Sequence, residues 1–119
     1  MIERSGAAGK RLVVLSGRIM TPPFSASARR EAGTLIRALQ EGRMLSMPRS
    51  RPMPGIGARC HELRIVDEDK SWRIVYRVDP DAVVVVDIFQ KATQQTPVLV
   101  LEVCRKRLRR YDASQEENR

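Results

Sequence analysis

Aromatic residues are scarce: two Phe, one Trp and two Tyr make up 4% of the 119 positions. Cysteine occurs twice and histidine once. Two cysteines exclude a disulfide-built scaffold. With one histidine they also fall short of the four ligands that a structural zinc site takes. Cys60 and His61 are adjacent, so on a strand they point to opposite faces. Cys60 and Cys104 are therefore expected as free thiols, with no metal and no other cofactor. No Ser–His–Asp or Cys–His arrangement is identifiable, and no pair of carboxylates stands out. Long apolar runs are missing too. The purest one, Ala82 to Val86, stops at Asp87, far below the roughly 18 residues of a membrane span. Leu12 to Leu15 is too short for the core of a signal peptide. These absences point to a soluble, cytoplasmic protein without membrane contact. The stretch Gly6-Ala7-Ala8-Gly9-Lys10-Arg11 is no phosphate loop, because no glycine stands five positions before Gly9 and Arg11 occupies the place of the magnesium-binding Ser or Thr.

What the chain does have is charge. Lys, Arg, Asp and Glu make up 30%, and the net charge is +8 with a pI near 10.5. The excess lies wholly in residues 1–60, and residues 61–119 balance. The signs are separated even where they balance. Arg105 to Arg110 places five cations in six residues, and Arg43, Arg49, Arg51 and Arg59 have no acid between them, whereas the acids gather at turns and in the tail. Positive surface that survives in this way suits a polyanion or an acidic partner. The length is that of one domain, residues 1–119, with 42% apolar residues to fill a small core.

The hydrophobic pattern sets out the elements. Lys10 to Ser16 reads as a short strand. Ser25 or Ser27 caps a helix in which Ala28, Ala32, Leu35, Ile36 and Leu39 form one stripe and Gly42 is the stop. Residues 43–59, with three prolines and two glycines, read as a loop. Glu62–Val66, Ser71–Val78 and Ala82–Phe89 read as a three-stranded antiparallel meander, turning at Asp67–Lys70 and Asp79–Asp81. In the middle strand Trp72, Ile74, Tyr76 and Val78 share one face, and Arg73, Val75 and Arg77 the other. The third strand is apolar on both faces, as a covered central strand is. Thr96-Pro97 opens a last helix with Val98, Leu101, Cys104, Leu108 and Tyr111 on one stripe. Residues 1–9 and 113–119 are expected to fray. The fold class is α+β in two layers, with the helices on one face of an antiparallel-rich sheet and at the C-terminus.

Three fragments taken in order carry a further reading: His61-Glu62-Leu63-Arg64, then Trp72-Arg73-Ile74-Val75-Tyr76, then Phe89-Gln90-Lys91-Ala92-Thr93-Gln94-Gln95-Thr96-Pro97. Together they resemble the RelE/HigB-type toxins of bacterial type II toxin–antitoxin systems, in the phage-related HigB branch, over about residues 58–111. The resemblance implies a RelE-like fold and a ribosome-dependent mRNA interferase, a metal-independent endoribonuclease. In that chemistry the RNA 2′-hydroxyl attacks the adjacent phosphate, the bond to the 5′-oxygen breaks, and a cyclic phosphate remains. It needs proton transfer and positive charge on the developing dianion. Carried over by position, the implied catalytic residues are Arg73 for the phosphate, Arg64 to orient it, Lys91 as acid or clamp, and His61 as a candidate base. Arg77, Arg105, Lys106 and Arg109 are the implied RNA-binding residues. The implied partners are mRNA, the ribosome and a cognate antitoxin, commonly a helix-turn-helix DNA-binding protein. Ala92 departs from the family's second basic residue, and Gln94 to Val98 lacks the tyrosine that the RelE archetype uses for proton transfer. The alternatives are a ParE-like toxin acting on gyrase and a catalytically weak RNA- or ribosome-binding relative.

Overall fold

The structure, a computed structural model, describes residues 2–4, 9–16, 24–91 and 95–118. Eight elements follow one another: β1 (Ile2–Arg4), β2 (Arg11–Val14), α1 (Ala26–Gln40), β3 (Ser50–Pro52), β4 (Cys60–Asp67), β5 (Lys70–Val78), β6 (Ala82–Gln90) and α2 (Val98–Glu117). The strands form one six-stranded sheet in the order β1-β2-β6-β5-β4-β3. The expected meander is its centre, antiparallel throughout, and β2 joins it by running parallel to β6.

Three expectations need correcting. The helices do not share a face. Apolar side chains of α1 pack on Leu63, Ile65, Trp72, Ile74, Val83 and Val85, whereas Cys104, Leu108 and Tyr111 of α2 pack on Val75, Val84 and Val86 from the other side. The domain is thus α1, sheet and α2 in three layers. The physical reason lies in β6, where residues 82–86 are at most 2% exposed. A strand apolar on both sides requires a cover for each. Second, the proline-rich segment contains β3, which pairs antiparallel with β4 and places Arg51 opposite Glu62. Three residues at a sheet edge show no alternation to read. Third, the ends are more ordered than expected. Ile2–Arg4 pairs with β2, and α2 runs on to Glu117 because Ala113, Gln115 and Glu116 favour helix.

The α1 boundaries follow their local chemistry. Ser25 accepts the Ala28 N–H at 3.1 Å, while its own N–H donates to Asp67 Oδ2 at 2.9 Å, which ties the helix start to the end of β4. Gly42 ends the helix at φ +92°, a conformation that costs glycine nothing. Gly9 has a different reason to be glycine. A Cβ there would meet the Gln40 carbonyl oxygen at 2.3 Å, and that close approach lets the Lys10 N–H reach the same oxygen at 2.8 Å. The buried stripe Ala28, Ala32, Leu35 and Leu39 is 5% exposed or less, and each leucine so covered contributes about 1.5–3 kcal/mol.

One irregularity shapes the site. Val75 pairs with Asp87 but Tyr76 pairs with Val85, so Val86 is an extra residue, a β-bulge in β6. Val86 and Asp87 both face α2. The Val86 carbonyl accepts from Arg107 at 2.8 Å, and Asp87 pairs with the same guanidinium at 3.1 Å.

Candidate active site

The α2 side of the sheet carries two charged clusters. Alternation on β4 puts Glu62 and Arg64 on this side, and alternation on β5 does the same for Arg73 and Arg77. Arg73 lies opposite Arg64 in the register, and Glu62 lies between Arg51 and Val75. Lys91 follows β6 directly, its N–H donating to the Ser71 carbonyl at 2.7 Å.

The first cluster is built around Glu62, whose side chain is fully buried. Glu62 Oε1 is 3.4 Å from Arg73 Nε, 3.5 Å from Arg51 Nη2 and 3.6 Å from Lys91 Nζ. Its Oε2 accepts from the Thr96 hydroxyl at 2.7 Å, which anchors the entry to α2. Three cations thus share one carboxylate, and a fourth, Arg64, lies beside Arg73. The side chains of Arg73 and Lys91 are only 7% and 4% exposed. Arg73 Nη1 donates to the Trp72 carbonyl and to the Ser71 hydroxyl, yet Arg73 Nε and Lys91 Nζ are buried with no hydrogen-bond partner within bonding distance among the described residues. Their contacts to Glu62 are ionic and long. Arg64 is half-buried, and its guanidinium makes no hydrogen bond or ion pair with any described residue. Burial pushes the Arg73 guanidinium below its ordinary pKa, and the neighbouring Arg64 adds to this against the pull of Glu62. Burial likewise lowers the Lys91 ammonium, with Glu62 opposing and Arg73 and Arg51 reinforcing.

The second cluster holds Arg77. Its Nε and Nη2 donate to both oxygens of Asp79 at 2.8 and 2.9 Å, and its Nη1 and Nη2 donate to both oxygens of Asp112 at 3.0 and 2.8 Å. The pKa of Arg77 is raised, first by the Asp112 hydrogen bond. This arginine fastens α2 to the sheet, with four of its five N–H groups engaged by carboxylates.

The remaining sequence-derived candidates separate clearly. Arg64, Arg73 and Lys91 converge. His61 does not join them: it faces α1, stacked on Tyr76 with centroids 5.4 Å apart, because it lies one residue before Glu62 on a strand. Tyr76 is a core residue whose hydroxyl bonds to Ser50. Arg105 donates to the Gly55 carbonyl at 2.7 Å and fastens the 53–59 loop to α2. Lys106 and Arg109 are exposed on α2. Thr96 and Pro97 precede the helix, with Pro97 as its cap residue, and Val98 is 67% exposed outside the buried stripe. Ala92 and Gln94 lie outside the described residues. Sequence reasoning missed Arg51 and the central part played by Glu62. The one available signal was an acid at an inward position of a strand, two residues from Arg64. Among the described residues no group of His, Cys, Asp and Glu is arranged to hold a metal ion. Both cysteines are free and buried, and burial pushes the Cys104 thiol up to about 12. No helix among the described residues is long and apolar enough to cross a membrane.

These features define a small mixed α+β domain with a cation-rich site where β3, β4, β5 and the end of β6 meet. Residues 23–109 match the family model described as phage derived protein Gp49-like (DUF891), and the chain belongs to that family. The match spans α1, β3 to β6 and most of α2, hence every residue of the Glu62 cluster. No curated protein and no solved structure matches the chain.

Proposed function

We propose that the protein is the toxin of a type II toxin–antitoxin system, a cytoplasmic mRNA interferase of RelE/HigB type that cuts messages on the ribosome. The observation that carries this reading is the convergence of Arg51, Arg64, Arg73 and Lys91 around the single carboxylate of Glu62. Two buried cationic nitrogens there have no hydrogen-bond partner among the described residues, and such groups call for an explanation. A scissile phosphate supplies one, since its oxygens accept from guanidinium and ammonium donors. In this reading Arg64 and Arg73 hold the phosphate and stabilise the dianion that forms as the 2′-hydroxyl gives its proton to water and its oxygen attacks phosphorus. Lys91, with its pKa lowered by burial, gives its proton to the departing 5′-oxygen. Glu62 is a positioning residue that keeps three cations within 3.4 to 3.6 Å of one point. His61 takes no part, because it lies on the other face. Most of the rate enhancement is thus electrostatic. The implied antitoxin masks this basic site while the two are bound.

The deep placement of Arg73 and Lys91 favours one second reading, a protein that binds RNA or the ribosome without cutting. One experiment separates them. Induction of the protein in a bacterial host, with message ends mapped, shows new 5′ ends and growth arrest if it is an interferase. Arg73→Ala then removes cleavage by a factor of roughly 10² or more while the purified variant keeps its fold. Ribosome association without new ends selects the binding reading, and DNA-damage signalling with intact messages selects a gyrase poison.

A further inference from the structure

On the α1 side of the sheet, away from the Glu62 cluster, lies a cavity of about 370 Å³. It opens between the end of α1, residues 43–45 and the adjoining ends of β4 and β5. Its floor is apolar, formed by Leu39, Leu45, Tyr76 and Val78. Its rim is cationic, formed by Lys10, Arg43 and Arg59, and among the described residues no acidic one lines it. The geometry points to a binding site for a nucleobase that carries a phosphate, either a free nucleoside monophosphate or one nucleotide of an RNA strand.

Four observations carry this. The volume falls within the range of small-ligand sites, and an apolar floor with a few charged groups is their usual composition. His61 and Tyr76 both line the cavity with their rings stacked at 18° between planes, and because Tyr76 is buried, the imidazole of His61 is the aromatic surface on which a base would stack. Two of the three rim cations are lightly engaged. The Arg43 side chain is 73% exposed and 3.9 Å from Glu41, and the Lys10 ammonium makes no ion pair with any described residue. Nor does the end of α1 occupy them with its open carbonyls, because the oxygens of Arg37, Ala38, Leu39 and Gln40 already accept backbone N–H groups. Finally, Arg59 is held at φ +62°, a backbone state unfavourable for an arginine. Its guanidinium is held at the rim by the Val78 carbonyl at 3.2 Å and by an ion pair with Asp79 at 3.4 Å. Strain of this kind is concentrated at ligand sites. The Arg43 guanidinium and the Lys10 ammonium, with Arg59 beside them, match the greater charge of a phosphate monoester better than the single charge of a fatty acid.

The test is calorimetric titration of the full chain with adenosine monophosphate, adenosine, inorganic phosphate and octanoate, with amide chemical shifts to place the ligand. Adenosine monophosphate is expected to bind and to shift Leu39, Leu45 and Val78. Adenosine and phosphate alone bind more weakly, as does octanoate. Arg43→Glu, at an exposed side chain that leaves the fold intact, weakens nucleotide binding roughly tenfold or more. Arg73→Ala, on the other face, leaves it unchanged, so failure here and failure of the interferase reading are distinguishable. A short unstructured RNA that displaces the nucleotide assigns the strand as the source, and one that does not assigns the free nucleotide. The inference is overturned by absence of saturation at millimolar nucleotide, by octanoate binding as tightly, or by indifference to Arg43→Glu.

Discussion

Arg73 and Arg77 lie four residues apart on the same strand and the same face, and the protein treats them in opposite ways. Arg77 meets two carboxylates, each with both oxygens, through four hydrogen bonds of 2.8 to 3.0 Å. Arg73 has one carboxylate at 3.4 Å and shares it with Arg51 and Lys91. The pKa of the first is raised and that of the second lowered. The contrast separates two uses of a buried guanidinium. Saturated with negative charge, it is a fastener between helix and sheet. Left short of negative charge, it favours any anion that reaches it.

The comparison can be broken or sharpened experimentally. The largest expected effect comes from Glu62→Ala, which leaves Arg73 and Lys91 buried without a counter-charge. Urea denaturation should show a loss of about 3–5 kcal/mol, part of it recovered by sulfate, which replaces the missing anion. A loss near zero would mean that the cluster does not depend on Glu62. Arg77→Met strands Asp79 but leaves the more exposed Asp112 to solvent, so the loss is smaller, about 2–3 kcal/mol. Sulfate should not restore it, and message cleavage at permissive temperature should persist.

Lys91→Met tests the charge shortage by pH. The Lys91 pKa is lowered in the folded protein, so the unfolded chain binds more protons between the folded and unfolded values. Stability therefore rises as pH increases through that window and levels off above the ordinary lysine value. Denaturation midpoints of Lys91→Met should lack this rise, and an identical slope in both proteins would contradict the assignment. The smallest stability effect is expected for Arg64→Gln, within about 0.5 kcal/mol, because this side chain has no described partner to lose. RNA affinity should nevertheless fall, with a shallower salt dependence in a filter-binding titration.

Much of this arrangement was legible from residue order. A serine cap for α1, Gly42 as its stop, the meander, the inward stripe of α1 and, from Cys104 on, that of α2 follow from local chemistry and periodicity. So does the shared face of Arg64 and Arg73, which strand alternation alone dictates. Other features depended on contacts distant in the chain. Arg51 was hidden because β3 is too short to show a pattern and exists only through its pairing with β4. Arg77 looked like Arg73 because nothing local reveals that Asp112, 35 residues later, comes to meet it. The three-layer arrangement was implicit in Val75, Val84 and Val86, apolar positions on a face that had been left without a cover.

Val86 bears on all of this through parity. Counting by twos from Ala82, an unbroken strand would send Lys91 toward α1, into the apolar layer beside Ile74 and Ile88. The one surplus residue reverses the count, so that Asp87, Phe89 and Lys91 fall on the opposite side. Flattening the bulge at unchanged length would therefore move an ammonium group through the thickness of the sheet, and Asp87 and Phe89 with it, whereas deleting Val86 would leave all three on the α2 side. The placement of this lysine is decided by arithmetic at a position that carries no charge and touches no anion.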